Sequence, residues 1–173
     1  MLLILVGKSG VGKTQIMYEL TKHGFSIPPS YTTRPPRPND DKIHLTDEEF
    51  DRLKQEHEFV DYVKYGGYKY GRKKSDILKA KETNLVIDLE PSGLSKYIDF
   101  CSKYQIPYYI IYLKCPEEWR IQRIQNDDIR KQRDDKYFDY YLDTYDLIID
   151  VYRISTDKII SIIKTLVGDR HEQ

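Results

Sequence analysis

Leu2-Leu3-Ile4-Leu5-Val6 runs without a break into Gly7-Lys8-Ser9-Gly10-Val11-Gly12-Lys13-Thr14. The string GKSGVGKT fits G-x-x-x-x-G-K-[ST], a phosphate-binding loop between a strand and a helix. A polyphosphate needs several N–H donors at close range, and glycine lets the backbone curve around it without Cβ clashes. The helix that follows turns its N-terminal amides on the same anion. Gly7, Ser9, Gly10, Val11, Gly12, Lys13 and Thr14 are therefore the expected nucleotide-binding residues. The Lys13 ammonium serves the β/γ-phosphates, and the Thr14 hydroxyl is a direct ligand for Mg2+.

Outward from this loop, apolar strands alternate with helices. Thr14–His23 reads as the first helix, Leu85–Ile87 as a strand ending at Asp88, Leu94–Tyr104 as a helix after Gly93, and Tyr108–Leu113 as a strand. A charge-rich helical region spans Glu117 to about Thr144, Leu147–Ile149 is a short strand, and Asp157–Val167 a last helix. This alternation predicts an α/β fold, a parallel sheet with helices on both faces and its ligand beyond the carboxyl ends of the strands. Residues 30–81 break the rhythm. Thr46-Asp47-Glu48-Glu49 is a capping box opening a short helix, and Glu58–Tyr65, Gly66-Gly67 and Tyr68–Tyr70 read as a hairpin. The segment is an α+β insertion.

At 173 residues the length fits one domain with a sizeable core. Lys plus Arg and Asp plus Glu are 28 each, a zero balance that argues against nucleic-acid or membrane-surface partners. The opening apolar run is too short for a membrane span, and no other run approaches that length. Cys101 and Cys115 have no metal or redox spacing and read as reduced thiols of a cytoplasmic protein.

Ser30-Tyr31-Thr32-Thr33-Arg34-Pro35-Pro36-Arg37-Pro38 is the second strong signal. Two arginines three residues apart, stiffened by prolines, form a dication suited to a phosphate. In combination with the phosphate loop, this segment resembles the guanylate kinase family. TDEEF, HEFVDYVKYGGYKYG, LVIDLE followed by Gly93, and YDLIID match that family in order and spacing. The resemblance implies a P-loop core at 1–29, 82–119 and 139–173, a nucleoside-monophosphate-binding insertion at 30–81 and a helical lid at 120–138. It implies transfer of the ATP γ-phosphate to GMP or dGMP with Mg2+, by a monomer or homodimer. Arg34 and Arg37 would hold the acceptor phosphate with the Tyr70 hydroxyl, and Ser30, Asp61 and Glu90 would face guanine. Asp88 would act on Mg2+ through water. Arg123 and Arg130 would neutralise the transferring group from the lid, with Arg120 on the ATP side.

The chain departs from the family pattern at several points. Ile43 stands where a tyrosine is usual, Arg72 where a serine is common, and Asp61 and Glu90 exchange the usual carboxylate lengths. Gln125-Asn126-Asp127-Asp128 replaces a glycine- and arginine-rich lid turn, and Asp150 replaces an asparagine near the expected adenine pocket. A related P-loop kinase with another phosphorylated acceptor, a non-catalytic guanylate-kinase-like module and a regulatory ATPase remain competing readings. Intact Lys13 and Thr14 weigh against the module, and the SYTTRPPRP segment against the ATPase.

Overall fold

The computed structural model describes residues 1–38, 40–124 and 144–168. Strand β1 (Leu2–Val6) is its centre, and all five side chains are fully buried. It pairs in parallel with β7 (Asn84–Leu89) on one side and β8 (Tyr108–Lys114) on the other. Beyond β7 lies β2 (Phe25–Ser26), and beyond β8 lies β9 (Leu147–Asp150), giving the order β2-β7-β1-β8-β9.

The two-residue period of β1 sends Leu2, Ile4 and Val6 to one face and Leu3 and Leu5 to the other. On the first face they join Leu94, Tyr97, Phe100 and Cys101 of helix α4 (Leu94–Tyr104) and Ile77 of α3 (Lys74–Leu78). On the second they join Ile16, Met17 and Leu20 of α1 (Lys13–Thr21), with Ile159, Ile160 and Ile163 of α6 (Thr156–Gly168). This is the expected sheet with helices on both faces. No helix among the described residues is long and apolar enough to cross a membrane.

Residues between β2 and β7 build a second sheet of order β4-β3-β6-β5: β3 (Tyr31–Thr32), β4 (Ile43–His44), β5 (Phe59–Tyr65) and β6 (Tyr68–Lys73). The hairpin between β5 and β6 turns at Gly66 and Gly67, whose φ values of 57° and 85° lie in the left-handed region that glycine enters freely. Helix α2 (Asp47–Gln55) packs on this sheet through Phe50, which stacks on Phe59 at 4.6 Å between centroids and shares a small core with Tyr31. Lys69 of β6 holds Asp47 at 2.8 Å and Asp51 at 2.7 Å on that helix.

The expected capping box forms. Thr46 Oγ1 accepts from the Glu49 amide at 3.1 Å, and Glu49 Oε2 accepts from the Thr46 amide at 2.8 Å. Replacing Thr46 with Ala removes one of these bonds, an expected loss of about 1 kcal/mol. The thermal midpoint should fall by roughly 2–4 °C, a shift that calorimetry resolves.

Candidate active site

The phosphate loop is squeezed between two elements. A Cβ on Gly7 would lie 2.7 Å from the Leu113 carbonyl oxygen of β8 and 2.9 Å from Val11 Cγ1. A Cβ on Gly10 would lie 2.8 Å from Ile124 Cγ1 of helix α5 (Glu117–Ile124), and Gly10 has φ 82°. Gly12 caps α1 in the left-handed region at φ 104°, and the first turn of that helix carries no acidic side chain. The first turn itself thus offers no anion to its amides and positive dipole end.

Lys13 Nζ donates to the carbonyls of Gly7 at 2.5 Å and Lys8 at 3.2 Å, so its ammonium folds across the loop. Ser9 and Val11 line the same turn, and Thr14 is exposed on the first turn of α1. Asp88 lies on β7 opposite Leu5 of β1. Burial disfavours its charge, but the Arg72 guanidinium and the Lys13 ammonium outweigh that and hold the carboxyl below its ordinary value. Arg72 Nη2 donates to Asp88 Oδ1 at 2.8 Å and Nη1 to the Asp88 carbonyl at 3.2 Å. The buried Tyr97 of α4 interacts electrostatically with Arg72. One arginine of the second sheet is therefore seated at the carboxyl end of the first.

On the acceptor side, Arg34 is buried, at 8% exposure, and Arg37 is exposed. Tyr70 pairs with Thr32 across β3–β6, and the Ser30 carbonyl accepts from the Ile43 amide at 2.9 Å. Asp61 and Glu90 come together at one corner. Glu90 opens a turn closed by the Gly93 amide on its carbonyl at 3.0 Å, and a Cβ on Gly93 would lie 3.0 Å from Asp61 Oδ2. A side chain at Gly93 would thus crowd the Asp61 carboxylate, which would have to give way by a few tenths of an ångström. Lys96 Nζ holds Asp61 Oδ1 at 2.5 Å.

Arg120 and Arg123 lie on α5. A polar lid stretch would leave Arg120 with few packed contacts, but it is 1% exposed. Glu117 takes two of its N–H groups, and its Nη1 donates to the Ser9 carbonyl at 3.2 Å, so satisfaction of its donors permits burial. Arg123 stacks on Trp119, with its guanidinium carbon 3.7 Å from the ring centroid and Nη1 3.9 Å from where a Gly12 Cβ would be. A cleft of about 300 Å³ opens beside the loop, lined by Gly12, Gln15, Trp119, Arg123 and Tyr152. Asp150 shapes its wall by accepting from the Tyr152 amide at 3.1 Å. A larger cleft of about 530 Å³ lies by His23 and Asp157, at the opposite end of α1. Arg130 lies outside the described residues.

A profile of the guanylate kinase family matches residues 1–169. The chain belongs to the guanylate kinase family. A guanylate kinase of Thermobifida fusca (strain YX) is 37% identical over 84 residues, 45% of this chain and 43% of its own length. One of Aster yellows witches'-broom phytoplasma (strain AYWB) is 39% identical over 101 residues, 52% of this chain and 48% of its own. These alignments span somewhat under half the length of the curated relatives. The crystal structure of guanylate kinase from Anaplasma phagocytophilum superimposes with a TM-score of 0.69 at 19% identity, covering 100% of this chain and 87% of that one. The guanylate kinase fold is shared throughout.

Within this guanylate kinase fold, the sequence did not foretell the contacts of Lys96, Trp119 or Tyr97. None belongs to a motif, and each meets its partner only through the fold. Arg72 did carry a signal, as an arginine where the family has a small hydroxyl, but its partner was not foreseen.

Asp88 should show in acid stability. Its carboxyl titrates lower in the folded chain than unfolded, so the stabilisation is complete above the unfolded value near pH 4 and is lost as pH falls through the folded value. The stability difference between wild type and Asp88→Asn should be constant above about pH 5 and shrink on further acidification. Urea titrations at a series of pH values measure it.

Proposed function

We propose that the protein transfers the γ-phosphate of ATP to a nucleoside monophosphate, with GMP and dGMP as acceptors, in the cytoplasm. The observation that carries this reading is the contact of Arg72 with Asp88. It docks the sheet bearing the arginine-rich acceptor segment onto the strand end beside Lys13 and the phosphate loop. Family membership supports the same activity.

In this reading the loop amides from Gly7 to Thr14 wrap the donor triphosphate. Lys13 leaves the Gly7 and Lys8 carbonyls for the β/γ-oxygens. The residues fit Mg2+: Thr14 offers a hydroxyl and Asp88 an ionised carboxylate, the hard oxygen donors this ion takes together with water and phosphate. Thr14 would hold the ion directly and Asp88 through water, where it would offset charge on the phosphate oxygens. Arg34 and Arg37 orient the acceptor phosphate for in-line attack, with the Tyr70 hydroxyl beside them. Arg123, held by Trp119 next to Gly12, adds positive charge over the donor, as does Arg130, while Arg120 keeps α5 on the loop. Catalysis is positioning and charge neutralisation, without a covalent intermediate. Asp61 and Glu90 face guanine, whose N1–H and N2–H₂ donate to carboxylates, with Ser30 beside them. Adenine has no such donor pair.

The deciding assay follows ADP release from Mg·ATP with GMP, dGMP, AMP, UMP or CMP. Turnover with GMP and dGMP is expected, and preference for any other monophosphate replaces the acceptor assignment. Lys13→Met should lower kcat by about a hundredfold or more, since a charge acting on the transition state is removed. Its circular dichroism should match wild type. Asp61→Asn places an amide where guanine needs an acceptor. The GMP/AMP preference should then fall by roughly tenfold or more, measured as the ratio of kcat/KM values.

A further inference from the structure

The connection between β3 and β4 holds a group of side chains that phosphoryl transfer alone does not explain. Arg34 Nη2 is paired with the Asp40 carboxylate, and both side chains are more than nine-tenths buried. Arg34 Nη1 is buried as well, and it meets no acceptor among the described residues. The Arg34 amide donates to Thr32 Oγ1 at 3.1 Å, which fixes the main chain at the base of the side chain. His44 closes the group from β4. Its Nδ1 lies 2.6 Å from the Arg34 carbonyl oxygen and its Nε2 3.4 Å from Asp40 Oδ2. The imidazole is therefore hydrogen bonded to the main chain of the arginine, while Nε2 lies beside the carboxylate without a hydrogen-bond partner among the described residues.

Asp40 is held from several sides. Burial opposes its charge, but the Lys42 amide, the Arg34 guanidinium, the Arg37 amide and His44 outweigh burial and keep the carboxyl below its ordinary value. The anion is thus a fixed part of the site. A guanidinium N–H group shielded from water and without an acceptor is costly, and a ligand oxygen removes that cost. Arginine matches the planar pairs of oxygens on a phosphate better than any other side chain, provided its plane is fixed beforehand.

We propose that Asp40 and His44 are positioning residues for the acceptor. Asp40 grips Arg34 by its Nη2 edge, His44 fastens the Arg34 main chain through its carbonyl, and Nη1 is thereby kept for an oxygen of a phosphate monoester. The proposal rests on the reading of Arg34 as an acceptor residue. It has a definite sign. A carboxylate that merely occupied the place of the phosphate would compete with it, and its removal would tighten acceptor binding. A carboxylate that holds the guanidinium in place weakens binding when it is lost.

The test is steady-state kinetics with whichever nucleoside monophosphate wild type turns over best. The variants are Asp40→Asn, His44→Phe, Arg34→Ala and the double variant Arg34→Ala/Asp40→Asn. Asp40→Asn keeps the shape of the side chain and should raise the acceptor KM about tenfold, a loss of roughly 1.4 kcal/mol in binding. The ATP KM should stay within about twofold and kcat within about threefold. His44→Phe should raise the acceptor KM by about threefold. In the Arg34→Ala background, Asp40→Asn should have no further effect, because Asp40 acts through Arg34. An acceptor KM that falls or does not change in Asp40→Asn overturns the proposal while leaving the phosphotransfer reading intact. So does a rise of equal size in the Arg34→Ala background. Wild type that transfers phosphate to no nucleoside monophosphate overturns both.

Discussion

A triphosphate can be held by main-chain amides only where the main chain comes close on every side and stays there. In this protein the main chain of the phosphate loop is crowded in that way, with no room for side chains at Gly7 and Gly10. The Leu113 carbonyl of β8 presses on one and Ile124 of α5 on the other. The loop is therefore located by its neighbours as much as by its own turn. Strand β8 cannot shift without moving Gly7, and α5 cannot lift without uncovering Gly10. The buried Arg120 reinforces the second contact by reaching from α5 to the Ser9 carbonyl while Glu117 satisfies its remaining donors. The full burial of β1 fixes the other end, since any register slip would carry Leu3 and Leu5 to the wrong face.

The second sheet has its own small core of Tyr31, Phe50 and Phe59, and meets the first at a concentrated point of charge. Arg72 crosses from β6 to Asp88, where Lys13 already adds positive potential. Tyr97 of α4 also interacts electrostatically with Arg72, so residues from the second sheet, the central strand layer and the covering helix meet at one polar point. The guanidinium depends on this contact most, because the Arg72 side chain is largely buried while that of Asp88 stays partly exposed. Orientation of the two sheets and the charge state of the site are thus set by the same bonds.

Much of the frame was legible in the sequence because it obeys local rules. Leu2–Val6 and Leu94–Tyr104 have the bounds their patterns predict, the first from its apolar run, the second from Gly93 and a helical apolar stripe. Strands β2 and β4 were not anticipated, since two residues have no period and depend on a partner strand. Strand β6 extends to Lys73 where the sequence suggested an end at Tyr70. Gly71 lies in that extension, paired with Tyr31 and Tyr62, and a Cβ there would meet the Phe59 ring at 2.9 Å. Residue types pointed directly to the phosphate loop and to the pair Arg34 and Arg37. What they could not give is which carboxylate meets which cation: Asp40 with Arg34, Asp88 with Arg72 and Asp61 with Lys96 are products of topology.

Trp119 is the sole tryptophan of the chain, and it stands at the rim of the cleft with Arg123 against one face and Tyr152 edge-on at 6.0 Å. Indole emission responds to a nearby cation and to the polarity around the ring. The protein consequently carries a built-in optical probe beside Gly12, with no second indole to blur the signal. Any rearrangement that draws Arg123 off the ring, or brings a base into the cleft, registers as a change in intensity or colour. Occupancy of that cleft can therefore be followed in the unlabelled protein.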